Sequence, residues 1–178
     1  MIKLLRKVLS LLQRTFYADK VDANQQPDPS VFFRGIMSEN DVDKGDYLKA
    51  SAFLFGSTVP EYRNDGNKEL SIVWNDCEEA LNLLLRQKNK KGTGLQFPCG
   101  YATVKLSRFE DNVVRYMTGN LVGYERRPIE EDKENGIEAN PYHGNILLHE
   151  STPEQQKKNI QHTLATISQF TRRTDNYQ

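Results

Sequence analysis

Three residues of this chain have the type and setting to do chemistry. Arg34 follows the apolar run Val31-Phe32-Phe33 and precedes Gly35. In a strand, Val31 and Phe33 share one face while Phe32 and Arg34 share the other. A guanidinium beside a phenylalanine on a half-buried face calls for a carboxylate or phosphate, because an unpaired buried charge is costly. A salt bridge to one of the chain's own acids meets the same need. His143 lies in Asn140-Pro141-Tyr142-His143-Gly144-Asn145, where a constrained loop runs into a strand. An imidazole there can move a proton near neutral pH, or it can simply pin the turn. Ser71 lies on Leu70-Ser71-Ile72-Val73-Trp74, a strand feeding a helix N-terminus. Its hydroxyl can hold a ligand or bond a neighbouring strand. If the three converge on one cleft, Arg34 binds an anion, Ser71 hydrogen-bonds the substrate and His143 transfers the proton.

The other reactive side chains point to less. Cys77 falls in the first turn of a helix, where the dipole favours a thiolate, but Glu78 and Glu79 oppose it. Cys77 and Cys99 make neither a C-x-x-C motif nor a disulfide framework, which suits a reduced, cytoplasmic chain. No phosphate-binding glycine loop, zinc-protease helix or nucleophile elbow is present. Three scattered histidines, His149 and His162 among them, give no metal-ligand spacing, so neither a metal nor a cofactor is expected. Glu78-Glu79 and Glu130-Glu131-Asp132 read as solvated charge.

The 178 residues make one domain, with 24 basic and 24 acidic side chains and no net charge. That balance argues against a general nucleic-acid binder, leaving only the local runs Lys88-Asn89-Lys90-Lys91 and Arg172-Arg173. A mean hydropathy of -0.70 is polar, yet eight Phe, eight Tyr and one Trp provide for a core.

The elements that would position these residues follow from periodicity. Residues 1–18 form an amphipathic helical arm, with Ile2, Leu5, Leu9, Leu12 and Phe16 on one stripe and Lys3, Arg6, Lys7 and Arg14 around it. It is too short and too charged to span a bilayer and lacks the pattern of a signal peptide. Residues 19–30 read as a linker, and 31–173 as a single α+β domain with a frayed tail at 174–178. Strands are predicted at Val31–Ile36, Leu70–Trp74, Gly100–Leu106 and His143–His149, with a weaker one at Val113–Met117. Asn75 and Glu78 suggest a capping box for a helix from Asp76 to about Gln87. Thr152 and Pro153 open a final helix with Ile160, Leu164, Ile167 and Phe170 on its stripe. Gly119 to Asn140 reads as a long polar loop, a lid or binding segment. The fold class is therefore α+β: a small mixed or antiparallel sheet of four to six strands packed by two helices, with the N-terminal arm.

Two resemblances attach to these residues. Phe33-Arg34-Gly35-Ile36, Ser51-Ala52-Phe53, Leu70-Ser71-Ile72 and Asn140-Pro141-Tyr142-His143 resemble a group of small bacterial α+β proteins that carries no activity with it. More distantly, the order Arg34, Ser71 and a late strand at His143 resembles ADP-ribosyltransferase folds of the Arg-Ser-Glu kind. Those place an Arg on an early strand, a Ser on a second and a Glu on a late one around bound NAD. Here the Ser-Thr-Ser signature is missing from the second strand, and Ser57-Thr58 lies elsewhere. His143 stands where the Glu is expected, with Glu138 and Glu150 only nearby. The resemblance thus implies the fold and the nucleotide site without the carboxylate that orients the ribose.

Two classes of function remain. The first is a non-enzymatic component of a multi-subunit bacterial assembly, docked on another protein or a second copy through Leu5, Leu9, Leu12 and Phe16. A basic amphipathic helix also suits the surface of a membrane. The second is a small enzyme or nucleotide-binding domain with its pocket at Arg34, Ser71 and His143.

Overall fold

The computed structural model describes residues 28–56, 67–89, 92–117, 121–132 and 138–174. The arm with Leu5, Leu9, Leu12 and Phe16, and most of the linker, lie outside the described residues.

Among the described residues the chain forms one open, fully antiparallel sheet of six strands and three helices. In chain order these are β1 (Val31–Ile36), β2 (Lys68–Trp74), α1 (Glu78–Arg86), β3 (Gly100–Lys105) and α2 (Leu106–Asn112). Then come β4 (Val122–Arg126), β5 (His143–Leu148), α3 (Glu154–Ile167) and β6 (Gln169–Arg172). The strand order across the sheet is β4-β5-β2-β1-β3-β6. The α+β class is therefore as expected. No helix of the described residues is long and apolar enough to cross a membrane.

Alternation along the strands divides the core into two layers. Phe32, Ile36, Leu70, Ile72, Trp74, Ala102, Val104, Ile146 and Leu148 face α2, α3 and a short 3-10 turn at Ala50–Phe53. Phe32 meets Trp74 and Phe109 edge-on, with ring centroids 5.8 and 6.0 Å apart. Such pairs contribute about 0.5–1.5 kcal/mol each beyond simple burial. On the opposite face Val31, Phe33, Val73 and Tyr101 pack against Ala80, Leu84 and Leu85 of α1 and against Phe97.

Several local expectations are corrected. Asn75 does not cap α1; its backbone N–H donates to Val31 O, extending the sheet, and the helix starts at Glu78, two residues later than Asp76, with Cys77 at the cap. The weak strand at Val113–Met117 is instead the end of α2 and a 3-10 turn at Val114–Tyr116, anchored by the fully buried Phe109. The long polar stretch contains β4, and its far end closes where Ile129 bridges Asn140. Pro153, not Thr152, precedes the last helix, which stops at Ile167. Phe170, the fourth member of the predicted helical stripe, reaches the main core from β6.

The centre of the sheet holds its main irregularity. β1 pairs with β3 along its whole length, but with β2 only at Phe32–Trp74 and Phe33–Val73. Beyond that point the two strands part. The edge of β2 that faces β1 is met by Gly56, whose N–H donates to Glu69 O, and by a side chain.

Candidate functional site

That side chain is Arg34. Its Nη1 donates to the Ser71 carbonyl at 3.0 Å, in place of the main-chain bond that the parting strands no longer make. Its Nε is fully enclosed and has no hydrogen-bond partner, while the residue as a whole remains partly accessible. No described carboxylate lies within ion-pair distance of Arg34. The nearest acidic influence is Asp41, whose carboxylate accepts from Ser51 Oγ at 2.7 Å. Burial lowers the Arg34 pKa to about 10, with Asp41 opposing only in part. Gly35 is required beside it, because any Cβ there would overlap the Phe97 ring.

His143 opens β5 opposite Val73 of β2. Its Nδ1 lies 2.8 Å from the Arg127 carbonyl. A carbonyl only accepts, so Nδ1 carries the hydrogen and the neutral ring keeps a lone pair on Nε2. Burial holds its pKa below the usual histidine value, opposed by the hydrogen bond to Arg127 O and by Glu69.

The register decides what these residues share. Ser71 pairs with Asn145, and Val73 with both His143 and Phe33. Directly paired residues project to the same side, so the Ser71, Asn145 and His143 side chains lie on the face that α1 partly covers. Arg34 follows Phe33, so its side chain leaves the opposite face. The structure thus brings Arg34 to the backbone of Ser71, and Ser71 and His143 onto one face. It does not place the guanidinium and the imidazole in one cleft.

Sequence reasoning missed what surrounds His143. Arg127 Nη1 bonds Glu69 Oε1 at 3.0 Å, with Glu125 Oε1 at 3.9 Å. Arg127 stands level with His143 and Glu69 with Leu147, so the pair crosses β5 at the level of Asn145. Asn145 is only 1% exposed, and its Oδ1 has no partner. The signal was present in the alternation of His143, Asn145 and Leu147 on one face, but nothing in the sequence marked that face as polar. Among the described residues, no three His, Cys, Asp or Glu side chains gather into a metal site.

Comparison with protein families, curated proteins and solved structures finds no match for this chain. The class defined here is the α+β sheet itself, with a charged side chain set into its central parting.

Proposed function

We propose that the domain binds a phosphate-bearing nucleotide at the parting between β1 and β2, with Arg34 as the anion contact. NAD is the ligand that the resemblance to ADP-ribosyltransferases implies. The observation that carries this reading is the guanidinium itself, held in the sheet at a desolvation cost, bonded to one carbonyl, with Nε unsatisfied. Planar N–H donors of that kind suit a phosphate oxygen pair better than a lone carbonyl. The three strands that the resemblance singles out, carrying Arg34, Ser71 and His143, are also neighbours in the sheet, in the order β1, β2, β5. The reading is one of binding. His143 offers no carboxylate, and its ring lies across the sheet from Arg34.

Calorimetric titration of the full chain with NAD and with pyrophosphate tests it. Both should bind, more weakly as salt rises, and Arg34→Met should cost at least tenfold. A folded wild-type protein that binds neither would overturn the proposal.

A second reading, docking to another protein subunit or a second copy, rests on the stripe of Leu5, Leu9, Leu12 and Phe16. Removing residues 1–20 should leave a folded domain and abolish co-purification of a stoichiometric partner. A truncated domain that keeps its partner would count against the arm.

A further inference from the structure

We infer that the N-terminal arm seats its apolar stripe in the groove between α2 and α3 of its own chain. Val113, Tyr116 and Met117, which follow α2, line one wall, and Gln156, Ile160 and Thr163 of α3 line the other. The groove holds about 360 Å³ of open space. Val113 and Ile160 are buried members of the main core, and Met117 packs against that core only in part. Tyr116 stands 76% exposed, more than any other large hydrophobic side chain among the described residues. Gln156 Oε1 is enclosed and has no hydrogen-bond partner among them. A groove with an apolar floor, a polar rim and an exposed aromatic is the form that receives the apolar face of a helix.

The point where the chain enters the described domain selects the occupant. Ser30 O accepts from the N–H of Leu106, the first residue of α2, at 2.7 Å, so the described chain begins beside the first turn of that helix. The groove lies at the other end of α2, about 10 Å along its axis. Residues 19–27, between the arm and Asp28, span up to about 30 Å when extended. Leu5, Leu9, Leu12 and Phe16 therefore reach the groove with length to spare, and their spacing of four, three and four keeps them on one helical face. Gln13, beside the stripe, carries the amide donor that Gln156 Oε1 lacks. A short tether holds the arm at an effective concentration on the order of millimolar, above that of a second copy in dilute solution, so even a weak contact is filled from the same chain. A partner that uses the same stripe must displace it from this groove.

Amide hydrogen exchange on the full chain tests this in the wild type, in Tyr116→Asp and in the double variant Leu9→Asp/Leu12→Asp. In the wild type, residues 1–18 should exchange about tenfold more slowly than in a free peptide of the same sequence. Tyr116→Asp, at an exposed position that the core does not need, should remove that protection. The double arm variant should in turn speed exchange at residues 112–117 and 156–163. Both effects should be the same at protein concentrations about a hundredfold apart. An unprotected arm, protection that Tyr116→Asp leaves intact, or a groove indifferent to the arm variant would each overturn the inference. Protection that grows with protein concentration would give the groove to a second copy and overturn it equally.

Discussion

Replacing Arg34 with methionine separates a structural strut from a functional cation kept at a cost. Methionine has a similar reach and no charge. The depressed Arg34 pKa corresponds to a net penalty of roughly 3 kcal/mol on the charged form, desolvation offset in part by Asp41, less what its partly accessible tip recovers from water. Methionine removes that penalty and forfeits the bond to Ser71 O, a charged-donor hydrogen bond of about 1.5–3 kcal/mol. The two nearly cancel, so Arg34→Met should unfold in urea within about 1 kcal/mol of wild type while losing anion binding. The pH dependence carries the same sign. Folding lowers this pKa, so the penalty is in force below about pH 10 and fades as pH rises through it toward the ordinary arginine value. The wild-type stability should therefore gain on Arg34→Met at high pH. A loss of more than about 3 kcal/mol at pH 7 would instead make Arg34 a strut that holds the sheet shut.

Three further outcomes follow from the geometry. Gly144→Ala would drive a Cβ into Trp74 Nε1, fixed in the core, and into the Glu125 carbonyl on the paired strand β4, and should cost about 3 kcal/mol in urea unfolding; an unchanged midpoint would show that Trp74 can move. The folded state of His143 binds a proton less readily than the unfolded chain, so stability should fall as pH drops below about 6.5 and level off below the folded pKa. Melting temperatures of His143→Gln should lack that component, and an identical profile would mean that other groups carry it. Arg172 clasps Glu39 at 2.7 and 2.9 Å and Asp46 at 2.7 Å, Asp46 being held at a positive φ of 58°. Arg172→Ala should therefore speed amide exchange across residues 39–47 with little change in global melting, whereas unchanged exchange would show the clasp to be incidental.

The strands legible in the sequence were those whose side chains announce burial. Val31-Phe32-Phe33 and Leu70-Ser71-Ile72-Val73-Trp74 are β-branched or aromatic and bounded by turn residues, and they became the central strands. The failures have physical causes. β4 and β6 are the sheet's edges, half solvated, so Val122-Gly123-Tyr124-Glu125-Arg126 reads as part of a charged loop. Asn75 has the composition of a cap, but the sheet runs on through its backbone, whose N–H donates to Val31 O, and the helix begins only after Cys77. Arg34 was visible as a charge needing a partner. That its partner would be the carbonyl of Ser71 depended on β1 and β2 parting after two pairs, which no local pattern encodes.

The same parting has a consequence for how the chain is made. The sheet consists of two triplets, β4-β5-β2 and β1-β3-β6, joined by a short central seam. Each triplet draws its strands from early, middle and late sequence, and the two sets interleave. During synthesis β1 and β3 can pair first, yet β2 waits for β5 on its outer side, and β3 waits for β6, the last of the described strands to appear. A chain stalled before residue 143 would present the unpaired edge of β2, with its buried-type residues Leu70 and Ile72, to whatever strand is near. Protection from misassembly thus arrives only once β5 and β6, residues 143–172, have been made.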